Sequence, residues 1–299
     1  MNLPRRRWPR ALLWSLVAAA MLGAMALTID PLGTFNALMP KDRASARIAE
    51  GVVYGAGERL KLDVYAPRGR AAGRRPVMIF FYGGSWNSGR RQGYAFAARA
   101  LAAQGFVVIV PDYRLVPEAR YPDFLRDCAA AVRWARRHAA EYGGDGERIV
   151  LSGHSAGAYN AAMLALDPGL LGADRVAVRG LAGLAGPYDF LPLDDDSTIA
   201  AFGAWARPAE TQPIAHAAAG APPALLLHGD SDTRVKPRNS RELAGRLRAA
   251  GSEVRLKLYP GLGHVAILTA LAMPFRRRAP VLADVADFAR QVTGHNDNR

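Results

Sequence analysis

The chain has 299 residues, half of them apolar, so it can bury one large core, and its length fits a single α/β domain with a small insertion. The net charge of +13 invites a nucleic-acid interpretation, but the arginines are scattered along predicted helices without a nucleic-acid-binding motif, so we exclude that partner. A single cysteine, Cys128, excludes an intramolecular disulfide. No internal repeat is visible.

The amino-terminal 30 residues read as a targeting segment. Four arginines precede residues 11–29, nineteen residues that carry no charge and are long enough to span a bilayer: Arg5, Arg6, Arg7 and Arg10. Small residues at Ala24 and Ala26 also resemble a cleavage site, so an uncleaved membrane anchor and a cleaved export signal both stay open. In either case the arginines stay cytoplasmic. We therefore expect a catalytic domain that is exported across, or anchored in, the inner membrane and faces the non-cytoplasmic side, with membrane association through this segment.

Residues 31–50 are expected to form a linker, and residues 51–299 a single catalytic domain. Apolar runs alternate with helical patterns along this domain, with strands predicted at residues 60–65, 76–82, 106–110, 178–185 and 253–259. This order predicts a mostly parallel, twisted sheet covered by helices on both faces. Residues 186–222 break the pattern and are interpreted as a short lid or pocket wall, with Phe202 and Trp205 as pocket contacts, or as a surface connection that packs two aromatic rings.

The most informative motif is a strand, a glycine-flanked serine and a helix. A β-branched run leads into a Gly-x-Ser-x-Gly pattern, and an alanine-rich helix follows it: Gly153, His154, Ser155, Ala156 and Gly157. In this context the pattern is typical of a turn that exposes a nucleophilic hydroxyl at the carboxyl edge of a sheet. The alternative is an ordinary glycine-rich turn between a strand and a helix.

A serine nucleophile needs a general base and an orienting carboxylate, and later strand ends offer both. An apolar strand before Gly229 runs into a loop that holds Asp230 and Asp232; we favour Asp232 as the acid, because Asp230 follows Gly229 directly and is placed to brace the turn. His264 follows the strand at residues 253–259 and is the predicted base. The five other histidines are interpreted as structural or solvated: His138, His154, His216, His228 and His295.

Acyl transfer also needs donors aimed at the developing oxyanion. The amide after the nucleophile, that of Ala156, is one candidate. Paired glycines after the strand at residues 76–82 let backbone approach a substrate oxygen, so Gly84 and Ser85 are predicted as the other donors and Trp86 as a pocket contact.

Together these residues resemble the α/β-hydrolase superfamily, in its carboxylesterase and lipase branch related to hormone-sensitive lipase and feruloyl-esterase-like proteins. The resemblance covers about residues 60–288, including residues 112–118, which in this branch shape the fold beside the active site. One departure is Tyr82, which stands where the family motif has a histidine that braces the oxyanion loop; a tyrosine could substitute through its hydroxyl.

The resemblance implies a serine carboxylesterase that hydrolyses small carboxylic esters through an acyl-enzyme, with an ester as the small-molecule partner and with no metal and no organic cofactor. Three alternatives stay open. They are an amide hydrolase of the arylformamidase or peptidase type, an acyltransferase to an alcohol at a membrane, and a catalytically silent binding protein with this fold. The sequence does not fix the oligomeric state.

Overall fold

A computed structural model describes residue 15, residues 30–69 and residues 71–294. Its centre is an eight-stranded sheet in the order β1-β2-β4-β3-β5-β6-β7-β8. The strands are β1 (Ser45–Val53), β2 (Lys61–Pro67), β3 (Arg75–Phe81), β4 (Val107–Pro111), β5 (Gly144–His154), β6 (Val178–Leu184), β7 (Ala224–Gly229) and β8 (Val254–Tyr259). β1 and β2 pair antiparallel, as do β2 and β4, and the other neighbours are parallel. The predicted mostly parallel sheet is therefore confirmed.

Nine α-helices connect these strands within the described residues. They are α1 (Pro31–Leu38), α2 (Ala95–Ala102), α3 (Asp123–His138), α4 (Ala156–Leu166), α5 (Pro168–Leu171), α6 (Asp196–Phe202), α7 (Arg238–Ala249), α8 (His264–Thr269) and α9 (Val281–Thr293). Short 3₁₀ helices lie at Arg91–Tyr94, Ala139–Tyr142, Gly172–Ala177, Pro208–Thr211, Pro213–His216 and Met273–Phe275.

Helices cover both faces of the sheet. α2 and α9 pack on one face, and α3, α4 and α7 pack on the other. The core strands β3 and β4 are buried along nearly their whole length, which explains their continuous apolar sequence. α4 is buried at every residue because it lies between the sheet and α3, and its small alanine side chains let the layers approach closely.

The expected linker at residues 31–50 is instead part of the folded domain. It contains α1 and the first half of β1, and Phe35 of α1 packs against Phe96 and Phe275 with ring centroids 5.0 and 5.9 Å apart. β1 escapes a pattern-based prediction because two register shifts, between Arg47 and Ala49 and between Ala49 and Val52, interrupt its pairing with β2. Irregular pairing removes the strict alternation that marks a half-buried strand.

The predicted targeting segment falls almost entirely on residues 1–14 and 16–29, which lie outside the described part of the chain. Among the helices that the structure describes, none has the length and apolar character needed to cross a bilayer. Export or anchoring through this segment stays a prediction.

Candidate active site

Ser155 sits in the sharp turn between β5 and α4, with backbone angles φ 56° and ψ −125°. This left-handed conformation is strained for a residue with a side chain. The turn also brings the start of α4 against β3: a Cβ on Gly157 would lie 2.0 Å from the carbonyl oxygen of Phe81. A glycine is therefore required there, and the tight packing holds the Ser155 hydroxyl at the carboxyl edge of the sheet.

The structure brings Ser155, His264 and Asp232 together from the ends of three strands. Nε2 of His264 lies 2.9 Å from Oγ of Ser155, and Nδ1 of His264 lies 2.7 Å from Oδ2 of Asp232. Both separations are those of hydrogen bonds, so the imidazole can accept the serine proton while it donates to the carboxylate. β5, β7 and β8 run parallel, so the loops that follow them meet at one edge of the sheet.

Asp232 is held as an anion by several donors. It is 3% exposed, and its Oδ1 accepts hydrogen bonds from the backbone amides of Arg234 and Val235, both at 2.9 Å. Burial raises the pKa of Asp232, but the hydrogen bonds from His228, His264 and Val235 outweigh this, and the pKa falls well below its usual value. Asp230 instead accepts from the amide of Gly261 at 2.8 Å and braces the turn, away from His264.

Two further histidines contact this constellation. His228 is fully buried: its Nε2 lies 3.3 Å from Oδ2 of Asp232 and 2.9 Å from the carbonyl oxygen of Val235, and its Nδ1 lies 2.7 Å from Oγ of Ser240. His154 places Nε2 2.9 Å from the carbonyl oxygen of His264. Sequence reasoning treated both as structural or solvated. For His228, the available indication was its position four residues before Asp232 at the end of a strand.

His154 is a neutral imidazole. Burial, together with the nearby His264 ring, lowers the pKa of His154 to about 3. The two ring centroids are 4.7 Å apart, and Nδ1 of His154 has no hydrogen-bond partner in the part of the chain that the structure describes. His154 therefore supports the backbone of His264 without adding charge beside it.

The loop after β3 turns back on itself at Gly84. The carbonyl oxygen of Gly84 accepts from the amides of Asn87 at 3.1 Å and Ser88 at 3.0 Å, and a Cβ on Gly84 would lie 2.3 Å from the Ser88 carbonyl oxygen. Gly84 has φ 127° and Ser85 has φ 50°. Within the described residues, the amides of Gly84, Ser85 and Ala156 donate to no protein oxygen, as expected of groups that are available to a bound oxyanion.

Three stacked tyrosines support this loop. The Tyr82 ring stacks on Tyr113 at 4.7 Å and on Tyr94 at 5.6 Å. The Tyr94 hydroxyl accepts from the amide of Gly83 at 3.1 Å, and the Tyr113 hydroxyl donates to the carbonyl oxygen of Tyr82 at 2.8 Å. Gly83 is thereby engaged, which leaves the next two amides free.

The Tyr82 hydroxyl itself points to Arg59. Nη2 of Arg59 donates to that hydroxyl at 3.1 Å and also to the carbonyl oxygen of Gly89, while Nε donates to the carbonyl oxygen of Tyr113 at 2.7 Å. Burial raises the pKa of Tyr82 well above its usual value, so the phenol stays neutral. Tyr82, together with Arg59, thus stands where the family motif has a histidine that braces the oxyanion loop.

The cavity beside Ser155 has a volume of about 460 Å³. Trp86 and Ser85 line it, as do residues of the segments 187–198 and 234–239. Phe202 lies behind Trp86, at a centroid distance of 4.7 Å, and is 2% exposed; Trp205 packs edge-on against Tyr121 at 5.1 Å. Neither Phe202 nor Trp205 is among the described residues that line this cavity. The indole of Trp86, which does line it, packs directly on Phe202. The predicted acyl-pocket contacts therefore correspond to an aromatic cluster under the cavity wall.

Residues 112–118, predicted to shape the fold beside the site, contact both the sheet and the cavity wall. The carboxylate of Asp112 pairs with the buried guanidinium of Arg91, which also bonds Asp63 of β2 at 2.7 Å. The amide of Val116 donates to the carbonyl oxygen of Trp86 at 2.9 Å. This segment therefore connects the antiparallel part of the sheet to the cavity wall.

Comparison with known proteins places this chain in a family. Residues 62–247 match the BD-FAE family model. Esterase LipC of Mycobacterium tuberculosis is 34% identical over 239 residues, which cover 71% of this chain and 58% of LipC. A carbohydrate esterase from gut microbiota, in truncated form, superposes with a TM-score of 0.73 at 22% identity, covering 86% of this chain and 99% of that one.

Esterase 2 of Thermogutta terrifontis, solved with butyrate bound, is a further structural neighbour. It superposes with a TM-score of 0.69 at 25% identity, over 86% of this chain and 97% of that one. The predicted α/β-hydrolase fold is thus confirmed. The chain spans little more than half the length of the LipC that it matches.

Proposed function

This chain belongs to the BD-FAE family, and on that basis we propose that it is a serine carboxylesterase, which hydrolyses small carboxylic esters through a covalent acyl-enzyme. One observation carries the proposal: His264 bridges Ser155 and Asp232 with two hydrogen bonds. Relatives described as esterases support the reaction class, and the butyrate in the Thermogutta esterase supports a short acyl chain.

The first half of the reaction forms the acyl-enzyme. His264 Nε2 takes the proton of Ser155 as its Oγ attacks the ester carbonyl carbon, and Asp232 stabilises the imidazolium that forms. The carbonyl oxygen becomes an oxyanion, which the amides of Gly84, Ser85 and Ala156 receive. Removing one such donor typically costs ~10²–10³ in turnover. The C–O bond to the alcohol then breaks, and His264 returns the proton to the leaving oxygen.

The second half releases the acid. Water enters the position that the alcohol has left, and His264 removes its proton as the water oxygen attacks the acyl carbonyl. The second oxyanion collapses, Ser155 Oγ leaves, and His264 reprotonates it. Because Asp232 holds Nδ1–H in place throughout, the same Nε2 serves as base and acid in both halves.

The proposal is tested by replacing the nucleophile. Ser155→Ala should lower kcat/KM for 4-nitrophenyl butyrate by on the order of 10⁶-fold, since no other group attacks the carbonyl. The same variant should lose covalent labelling by a fluorophosphonate probe. Ser231→Ala, which removes an exposed hydroxyl from the acid loop, is the matched control and should keep both properties.

Two results would contradict the proposal. Undiminished hydrolysis by Ser155→Ala would remove the serine from the mechanism. A wild-type protein that is labelled at Ser155 but cleaves only anilides or formamides would indicate an amide hydrolase instead.

A further inference from the structure

The cavity beside Ser155 carries a cationic side chain that the proposed hydrolysis does not use. Arg234 lines this cavity, and its Nη2 lies 3.2 Å from Oγ of Ser85. The side chain is exposed, and within the described residues its guanidinium forms no ion pair with a carboxylate. Other arginines do pair with a carboxylate, as Arg114 does with Asp127 at 2.8 Å.

The loop that holds the triad acid fixes the position of Arg234. The Arg234 amide donates to Oδ1 of Asp232 at 2.9 Å, so the residue starts beside the triad and its side chain reaches the oxyanion loop. A guanidinium presents a planar set of donors that matches a carboxylate. The free donors therefore face the space that a substrate must enter, close to the reacting carbonyl.

The other charged residues that line the cavity favour the part near Arg234 as the place where an anion binds. Lys236 lines the same wall and is also without an ion pair among the described residues, while Arg238 lies 3.9 Å from Glu242. The acidic side chains that line the cavity belong to a different segment: Asp194 and Asp195. Asp195 accepts from the amides of Ser197 and Thr198 and so caps α6.

We propose that Arg234 is a specificity-determining residue, which binds a carboxylate carried by the ester substrate close to the scissile bond. The inference rests on the proposed function and names its substrate class: esters that bear an anionic group on the acyl or on the alcohol side. Because the guanidinium is exposed, an ion pair with it is weak, and the preference for an anionic over a neutral ester should be about fivefold in kcat/KM.

Two pairs of isosteric esters test the proposal. On the acyl side, monoethyl succinate is compared with ethyl succinamate; on the alcohol side, acetoxyacetate is compared with acetoxyacetamide. Each pair exchanges a carboxylate for a neutral amide of the same shape, and kcat/KM is measured from acid release in a pH-stat. We expect the anionic member to be preferred about fivefold in at least one pair, and the pair that shows the preference identifies the side of the ester that Arg234 contacts.

Variants then assign the preference to Arg234. Arg234→Gln should remove the preference in kcat/KM for the anionic ester. Arg234→Lys should keep part of this preference because the charge remains. Arg241→Gln removes an equal charge from an exposed position on α7 and should leave the ratio as in the wild type. High salt should reduce the wild-type ratio, because an exposed ion pair is screened.

The outcomes separate this inference from the proposed function. Equal rates for both members of both pairs, or a ratio that survives in Arg234→Gln, would overturn the role of Arg234. Failure of all four esters while Ser155 still reacts with a fluorophosphonate would overturn the substrate class. Failure of the esters and of the labelling together would overturn the proposed function itself.

Discussion

The acid–base residues on one side of Ser155 and the oxyanion loop on the other are stabilised by different interactions. On the acid–base side, Asp232 accepts from two backbone amides and from His264, and the buried His228 lies 3.3 Å from the same carboxylate. On the oxyanion side, neutral aromatic rings stack under the loop and hydroxyls bond its backbone. The acid–base side therefore stabilises a charge, and the oxyanion side fixes the conformation of a loop.

This difference follows from what each side must do. In the proposed reaction the imidazole gains a positive charge, so a buried anion nearby lowers the energy of that state. The amides that receive the oxyanion keep their charge distribution throughout, and they need only point in the right direction before the reaction begins. Substitutions should therefore be most damaging where they remove charge and milder where they loosen geometry.

Of the two sides, the acid–base side should show the larger loss of turnover when its carboxylate is replaced. Asp232→Asn should lower kcat about 10³–10⁴-fold, because an amide cannot stabilise the imidazolium and favours the wrong tautomer of His264. Asp230→Asn is the matched control, since that carboxylate only braces the turn at Gly261, and it should change kcat little. Rates of 4-nitrophenyl butyrate hydrolysis measure both. The reverse ranking would show that the acid has been assigned to the wrong aspartate.

A smaller effect is expected from the tyrosine stack. Tyr94→Phe keeps the ring and removes the hydroxyl that holds the Gly83 amide, so the donors at Gly84 and Ser85 lose part of their alignment. We expect kcat to fall about tenfold with little change in KM, because the oxyanion exists only after binding.

The matched control for the stack is Tyr65→Phe. Tyr65 is also buried, but it lies in β2 and its hydroxyl is 3.4 Å from Asp63. Equal losses of kcat in the two variants would show that the effect of Tyr94 is a general loss of packing.

The smallest expected effect is that of His154 on the free energy of unfolding, and it does not concern the reaction rate. Unfolded His154 binds a proton near pH 6.5, whereas burial lowers its pKa in the folded state to about 3. Between these values the unfolded state binds more protons, so stability is lost as the pH falls. His154→Gln should remove up to about 1.4 kcal/mol per pH unit of this decline, measured by urea unfolding between pH 6.5 and pH 4.5.

A matched control separates burial from the loss of any imidazole. His138 is half-buried, with 40% of its side chain exposed beside Glu141, and His138→Gln reports the effect of removing a histidine that solvent still reaches. If the wild type and His154→Gln lose stability in parallel, the buried ring is not responsible for the decline.

Much of the site could be predicted because its chemistry sits at strand ends. Ser155, Asp232 and His264 each follow a predicted strand, and parallel strands bring such positions to one edge whatever the rest of the chain does. The same logic located Gly84 and Ser85. It also separated Asp232 from Asp230, since a residue directly after a glycine turn faces the turn.

The remaining features depend on contacts between distant segments. Phe202 was predicted in the acyl pocket, but the ring of Trp86, more than a hundred positions earlier, covers it. Nothing local to Tyr82 indicates that Arg59, Tyr94 and Tyr113 surround it. The predicted linker at residues 31–50 included the start of β1, whose place in the sheet is set by its irregular pairing with β2.

The backbone angles at the carboxyl edge carry a consequence for how such an enzyme could become more heat-resistant. Among the described residues, the non-glycine positions with left-handed angles are Ser85, Trp86, Ser155 and Ala185, each just after β3, β5 or β6. Such conformations cost about 1–3 kcal/mol each. Replacing Ser85 or Ala185 with glycine would therefore raise the melting temperature. It would also let these loops adopt other conformations, so selection for thermal stability would lower catalytic activity through these positions first.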